Sequence, residues 1–128
     1  MDHDRLIRGA LWATAPFNFG AAIGLAFPAS PAAALFGLPA AVPQPYPAML
    51  GAFVALFGGL YVWLAQQAQI PRALVGFCAI GKLTAFGIIA TLWLGDAVSA
   101  PLALAGVGDL LFALLFLGWL RATRPKLP

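Results

Sequence analysis

Four long stretches of the chain are almost entirely apolar, and a proline-rich segment and two short polar loops separate them. A helix rises about 1.5 Å per residue, so about 20 apolar residues cross the ~30 Å hydrocarbon core of a bilayer. The strands of a transmembrane β-barrel alternate apolar and polar side chains, a pattern that these stretches do not have. We therefore predict an all-α polytopic membrane protein whose single domain, residues 1–128, contains four transmembrane helices in an antiparallel bundle. The expected spans are residues 6–27, 48–66, 73–94 and 98–120.

The segment between the first two spans, residues 28–47, has a different character. It contains six of the eleven prolines and no charged residue. Ser30 followed by Pro31 is typical of a helix N-cap and a first helical position. We predict a short interfacial helix over residues 32–36, lying on the membrane between the first and second spans. An extended connector follows it and is expected to cover one end of the bundle.

The basic residues outside the apolar stretches indicate how the bundle is oriented. With four spans, both termini and the loop at residues 66–72 lie on one side of the membrane. Cytoplasmic segments of membrane proteins carry an excess of lysine and arginine. Because the basic residues at the span ends all fall on that one side, we predict a multi-pass protein with both termini in the cytoplasm. These residues are Arg5, Arg8, Arg72, Arg121, Arg124 and Lys126.

Composition supports the membrane assignment and excludes several other classes. The chain is 62% hydrophobic and 9% charged, whereas a soluble domain is about 25% charged. The net charge of +3 does not indicate nucleic-acid binding, because the basic residues form no run and no aromatic residues are interleaved with them. Cys78 has no partner for an intrachain disulfide and is expected to be a small buried apolar residue. We expect no metal site and no cofactor, since His3 has no second histidine or cysteine near it.

A few polar side chains interrupt the apolar stretches near the middle of the membrane. Lys82 lies about ten residues in from the cytoplasmic end of the third span, and Asp109 lies about ten residues in from the opposite end of the fourth. An isolated charge at this depth costs about 2.5–3.5 kcal/mol on insertion scales. We therefore predict that Lys82 and Asp109 meet. Asn18, Tyr61 and Thr84 complete the expected polar centre.

Two interpretations of this polar centre are open. In the first it is a ligand-binding site, where Lys82 and Asp109 bind the polar or anionic head of a ligand or pass protons. Ionisable groups inside a membrane are functional by default, which is the reason to hold this interpretation beside the second. In the second, the two residues form an interhelical salt bridge to which Asn18 is hydrogen-bonded. Its role is then to set which helix faces point inward.

Small residues predict where the helices approach one another. In the second span, Gly51, Ala55 and Gly59 recur at four-residue spacing. This spacing predicts a smooth face against which another helix packs closely. The glycine-rich faces of the first two spans also allow self-association.

Several short motifs carry a resemblance to a known family. They are Asn18 with Gly20, Phe27-Pro28, Gly37-Leu38-Pro39, Gly51, Gly58-Gly59-Leu60-Tyr61, Gly81-Lys82-Leu83 and Gly108-Asp109-Leu110. With these motifs the chain resembles small four-helix bacterial membrane proteins of the broad DoxX-like kind, over nearly its whole length. The resemblance implies a four-helix bundle in the bacterial cytoplasmic (inner) membrane with an accessory or redox-linked role. It transfers no catalytic residue, and the cysteine pairs of some redox membrane proteins are missing here.

Three functions are compatible with these features. The first is a binding or accessory protein that holds a lipid, a quinone or a similar lipophilic ligand, or a partner membrane subunit, against Asn18, Lys82 and Asp109. The second is a proton-coupled small-molecule transporter that acts as a dimer through Asp109. Against it, small multidrug transporters carry their carboxylate in the first span, where this chain has none. The third is a membrane enzyme, an isomerase or cyclase of a lipophilic substrate, with Asp109 as the acid and Lys82 adjusting its acidity.

Overall fold

The computed structural model describes residues 2–125, and every regular element within them is helical. The all-α prediction is confirmed. Three of the helices, α3, α4 and α5, are long and apolar enough to cross a membrane, with mean hydropathies of 1.9, 1.9 and 2.1. Their ends lie within two residues of the spans predicted at 48–66, 73–94 and 98–120. The elements are α1 (His3–Ala26), α2 (Pro31–Leu35), α3 (Tyr46–Gln66), α4 (Arg72–Leu94) and α5 (Ala100–Ala122).

Three helices begin at a side chain that caps their first turn. The carboxylate of Asp2 accepts hydrogen bonds from the backbone N–H groups of the first turn of α1. The hydroxyls of Ser30 and Ser99 do the same for α2 and α5, and a proline follows among the first helical residues in both cases. A capping side chain satisfies an N–H group that has no partner within the helix. A five-residue helix, α2, covers Pro31–Leu35 where the short interfacial helix was expected over residues 32–36, and its position at the membrane surface stays a prediction.

The four long helices run alternately up and down. α1 packs along α3, α4 packs along α5, and α1 also contacts α5. The guanidinium of Arg8, near the start of α1, donates to the backbone oxygen of Ala65, near the end of α3, which shows that these two helices are antiparallel. The start of α1, the loop between α3 and α4 and the end of α5 therefore share one end, here called the terminal end. The opposite end, which carries α2 and the loop between α4 and α5, is called the far end.

Two arginines close the helix C-termini at the terminal end. Arg8 donates to the backbone oxygens of Ala65 and Ala68, at 2.7 and 3.3 Å. Arg72, the first residue of α4, donates to the backbone oxygens of Leu120 and Thr123, at 2.6 and 2.9 Å, and to the hydroxyl of Thr123. The last carbonyls of a helix have no partner within the helix and carry the negative end of its dipole. Both arginines therefore stabilise the ends of helices α3 and α5.

Glycines allow close contact within each helix pair, but one predicted position is wrong. A β-carbon on Gly51 would lie 2.5 Å from the β-carbon of Ala26 in α1, so the predicted close approach occurs there. A β-carbon on Gly59 would have no neighbour within 4 Å, whereas one on Gly58 would lie 2.9 Å from the ring of Phe19. The packing face thus follows a seven-residue spacing, Gly51 to Gly58, rather than the four-residue spacing that we expected. Seven residues are close to two full turns, so these two glycines face the same helix.

At the far end, the segment after α2 rests on the loop that precedes α5. The hydroxyl of Ser99 donates to the backbone oxygen of Phe36 at 2.6 Å. Gly37 has a φ of 65°, a left-handed conformation that glycine adopts without steric cost. A β-carbon on Gly37 would lie 3.0 Å from the side chain of Ser99. Glycine therefore serves both the turn after α2 and its close contact with the loop.

The hydrophobic core fills only the half of the molecule that adjoins the terminal end. All four long helices contribute to it, and its large buried side chains include Leu11, Tyr61, Leu64 and Phe116. The buried residues of the far half are small residues or a proline. Ala22 and Gly51 lie between α1 and α3, and Gly106 of α5 packs against α4. The two helix pairs are thus tightly joined near the terminal end, while in the far half close packing is found within each pair.

Candidate functional site

Lys82 lies at the inner end of the buried face of α4. The buried residues of this helix are Val75, Cys78, Ala79 and Lys82, a spacing of three, one and three that places them on a single helical face. Cys78 is buried, as expected. Because Lys82 continues an otherwise apolar face, its side chain enters the space between the helices rather than the surroundings.

The ammonium group of Lys82 is held by two oxygen atoms from two other helices. It donates to Oδ1 of Asp109 in α5 at 2.6 Å and to Oδ1 of Asn18 in α1 at 2.6 Å. The side chains of Lys82 and Asp109 are 5% and 13% exposed. The prediction that Lys82 and Asp109 meet is confirmed. Asn18, Lys82 and Asp109 are called the polar cluster below.

Asn18 connects the polar cluster to the remaining long helix. Its amide nitrogen Nδ2 donates to the backbone oxygen of Val54 in α3 at 3.1 Å. Asn18 thus accepts from Lys82 with one side-chain atom and donates to α3 with the other. The three side chains of the cluster come from α1, α4 and α5, and this hydrogen bond adds α3, so all four long helices meet at one level.

Aromatic rings surround the ammonium group on its remaining sides. The Nζ atom of Lys82 lies 4.8 Å from the ring centre of Phe17, 5.5 Å from that of Tyr61 and 5.6 Å from that of Phe112. A cation within about 6 Å of a ring face is attracted by the negative charge density of the ring. The rings therefore replace water around the part of the ammonium that makes no hydrogen bond to the cluster.

The charges of the polar cluster are balanced within the protein. Lys82 and Asp109 form a neutral pair, and within residues 2–125 every buried side-chain nitrogen or oxygen has a hydrogen-bond partner. Removing one partner of a buried pair leaves an uncompensated charge and costs about 3–5 kcal/mol in soluble proteins. The cluster is thus stable as a unit, and the contribution of each member depends on the other two.

The other two residues of the expected polar centre have different positions. The ring of Tyr61 faces Lys82, as described above. Thr84 is exposed, and its hydroxyl donates to the backbone oxygen of Ile80 in its own helix at 2.9 Å. Two positions separate Thr84 from Lys82, which is a rotation of about 200° around a helix. Thr84 therefore points away from the polar cluster.

The structure adds three groups to the site that the expected polar centre did not include. Phe112 follows Asp109 by three residues, a spacing that places both on one helical face and could have indicated their proximity. Phe17 adjoins Asn18 in the sequence, which gives no comparable signal. The backbone oxygen of Val54 has no signal at all, because every residue of the helix has the same carbonyl group.

The polar cluster lies at the boundary between the two halves of the molecule. Every member of the hydrophobic core lies on the terminal side of the cluster in its own helix. On the far side, none of the described residues 83–94 of α4 is buried. Lys82 and Asp109 therefore form the last layer of the packed half.

Comparison of the chain with protein-family models, with curated proteins and with solved structures finds no match. The resemblance to DoxX-like proteins stays a prediction from the short motifs that carry it.

Proposed function

We propose that the chain is a four-span integral membrane protein, in which α1 crosses the membrane together with α3, α4 and α5. α1 has 24 residues and is antiparallel to α3. Its residues 7–15 belong to the same core as residues of the other three helices. A helix that shares its core with three membrane-spanning neighbours lies at the same depth as they do. The prolines and apolar residues around α2 suit a position at the membrane surface, which covers the far end.

The distribution of charge supports an orientation with both termini in the cytoplasm. Arg5, Arg8, Arg72, Arg121 and Arg124 all belong to the terminal end. The described part of the far end carries Asp96 and no basic residue. Under the positive-inside rule, the terminal end faces the cytoplasm. The DoxX-like motifs favour the bacterial inner membrane.

We propose that the protein binds a lipophilic molecule whose polar group contacts the polar cluster and whose apolar part lies on the far side of the cluster, between the α1–α3 pair and the α4–α5 pair. One observation carries this proposal: the buried charges lie at the edge of the packed core rather than within it. An interhelical salt bridge with a purely structural role would be best protected with packed side chains on both sides. Here large buried side chains adjoin the cluster on its terminal side alone, among residues 2–125.

The hydrogen bonds of the cluster suggest which polar group the ligand carries. Lys82 donates to Oδ1 of Asp109, which leaves Oδ2 as an acceptor on the more exposed member of the pair. The ammonium of Lys82 is enclosed by Asn18 and the three aromatic rings. A hydrogen-bond donor such as a hydroxyl, a quinol or an amine therefore fits the site better than an anion does. Binding of a partner membrane helix through a polar side chain would use the same oxygen.

Two other functions have less support. A proton-coupled transporter needs its carboxylate to open alternately to both sides of the membrane, and the packed core separates Asp109 from the terminal end. An isomerase or cyclase needs an acid that is free to reach its substrate, and Asp109 is bonded to Lys82 at 2.6 Å. Binding of a ligand or a partner requires neither the opening of Asp109 to both sides of the membrane nor its release from Lys82.

Native mass spectrometry of the full chain, released from a mild detergent, tests the proposal. We expect a bound species of reproducible mass on the unchanged protein, and we expect Asp109→Asn to lose it. Asp96→Asn is the matched control, because it makes the same chemical change in an exposed loop. The mass distinguishes a small lipophilic ligand from a partner subunit. Loss of the species in both variants, its retention in both, or its absence from the unchanged protein would reject the central site.

A further inference from the structure

A second site is suggested by a groove at the terminal end, which is separate from the polar cluster. The groove lies between the start of α4 and the end of α5 and has a volume of about 580 Å³. Its lining residues lie on one face of each helix: Arg72, Ala73 and Gly76 from α4, and Leu117, Leu120, Arg121 and Arg124 from α5. The groove therefore combines three cations with a floor that is otherwise apolar.

The cations and the apolar floor are arranged in order of depth. Arg72 and Arg124 lie at the helix ends, whereas Gly76 lies about 6 Å and Leu117 about 10 Å further along the helix axes. In a membrane, the helix ends are at the level of the lipid headgroups and the next turns reach the hydrocarbon. The groove thus offers positive charge at headgroup depth and an apolar surface for an acyl chain directly below it.

The positive charge of this groove is not neutralised by the carboxylates nearby. The described carboxylates of the terminal end are Asp2 and Asp4. Asp2 lies 4.0 Å from Arg5 and caps α1, and Asp4 accepts a hydrogen bond from the indole of Trp119. Within residues 2–125, the ion pairs of the structure include neither Arg121 nor Arg124.

Arg72 holds the two sides of the groove in place. Its guanidinium bonds to the C-terminal carbonyls of α5 and lies 5.5 Å from the ring centre of Trp119. These contacts join the start of α4 to the end of α5. They also hold the positively charged guanidinium of Arg72 in a fixed position at the groove. At Gly76 the floor is bare backbone, and a β-carbon there would meet Leu120 at 3.8 Å, an ordinary contact distance.

We infer that this groove binds an anionic phospholipid, with the phosphate against Arg121 and Arg124 and one acyl chain along Gly76 and Leu117. Arginine binds phosphate through paired N–H groups, and basic grooves between helices at the cytoplasmic surface recognise lipid headgroups. The charge of the groove selects an anionic headgroup over a zwitterionic one, and its apolar floor selects a lipid over a soluble phosphate. The site goes beyond the proposed central ligand, because it uses different residues at a different depth.

Lipid binding to the delipidated full chain in neutral detergent, counted by native mass spectrometry, tests the inference. The probes are phosphatidylglycerol, phosphatidylcholine and soluble glycerol phosphate. We expect one phosphatidylglycerol to bind in preference to phosphatidylcholine, and glycerol phosphate not to displace it. Arg121→Gln and Arg124→Gln should each weaken this binding by about fivefold, which corresponds to one basic residue near a lipid surface. Arg5→Gln removes one exposed charge at the same end and should leave it unchanged.

A variant without a change of charge tests the apolar floor separately. Leu117→Trp should narrow the groove and weaken phosphatidylglycerol binding although all three arginines remain. Equal binding of the two phospholipids, an equal effect of Arg5→Gln, displacement by glycerol phosphate, or no effect of Leu117→Trp would each overturn the inference. Asp109→Asn should leave phosphatidylglycerol binding intact, and Arg121→Gln should leave the central species intact. Failure of one proposal is therefore distinguishable from failure of the other.

Discussion

Lys82 and Asp109 lie 27 positions apart in the chain and 2.6 Å apart in the structure, on consecutive antiparallel helices. At the level of this pair, side-chain hydrogen bonds join all four long helices, as they also do at the terminal end. Each charge is buried because the other is present.

We expect Lys82→Met to destabilise the protein by about 3 kcal/mol, because it leaves the Asp109 carboxylate buried without its cation. Asp109→Leu should have a similar effect for the opposite charge. The double variant is apolar at both positions. Its loss of unfolding free energy should be about 2 kcal/mol smaller than the sum of the losses in the two single variants. Reversible unfolding in mixed micelles measures all three free energies. Simple additivity would show that the two charges do not stabilise each other.

Asn18→Leu should destabilise the protein by about 1 kcal/mol, because it removes the hydrogen bonds to Lys82 and to the backbone of Val54. Thr84→Val is the matched control. It also removes a polar group from an apolar helix, but Thr84 is exposed and bonds within α4. We expect its effect on the unfolding free energy to be smaller than that of Asn18→Leu. Equal effects would mean that Thr84 belongs to the polar centre after all.

The two glycines of α3 that differ in their surroundings should respond oppositely to the same substitution. Gly51→Ala forces α3 away from α1, because the new β-carbon would lie 2.5 Å from that of Ala26 and 2.9 Å from the backbone oxygen of Ala22. We expect a loss of about 1–3 kcal/mol. Gly59→Ala meets no neighbour within 4 Å. It should be neutral or stabilise the helix by up to about 1 kcal/mol.

Unfolding of the two alanine variants under identical conditions checks this pair. A destabilised Gly59→Ala variant would show that the outer face of α3 is covered, for example by a second copy of the chain. The comparison thus also reports on self-association through the glycine-rich faces.

Labelling of single cysteines tests the membrane topology. In a Cys78→Ala background, we expect a membrane-impermeant maleimide to label Asp96→Cys in intact cells. His3→Cys and Gln69→Cys should be labelled after the membrane is opened, because both belong to the terminal end. If α1 did not cross the membrane with the other three helices, His3→Cys would be labelled together with Asp96→Cys. That result would contradict the fourth span.

The helices could be located from the sequence because their signals are local. The length of the apolar stretches and the caps at Ser30 and Ser99 act within one helix, and the helix ends lie close to where these signals place them. The meeting of Lys82 with Asp109 could also be predicted. Both are isolated charges at matching depth, and the cost of an unpaired charge in hydrocarbon leaves few alternatives.

The orientation of each helix about its own axis could not be obtained in this way. Thr84 was expected beside Lys82 and faces outward, and Gly58 rather than Gly59 packs against α1. The apolar stretches are hydrophobic on all sides, so their pattern does not mark one face as inward. A change of one residue rotates a helical face by about 100°, which is enough to exchange an inner position for an outer one.

The amino-acid pattern alone is thus sufficient for an all-helical fold, for the ends of its helices, for a charged pair between α4 and α5 and for a concentration of arginines at one end. The hydrogen bond between Asn18 and Lys82 was one of the arrangements expected from the sequence. The bond of Asn18 to the backbone of Val54, the aromatic rings around the ammonium and the limitation of the core to one half of the molecule required the folded structure. The physical reason is that hydropathy, capping and charge act locally or through depth. The faces that helices present to one another depend on close packing between residues that are distant in the chain.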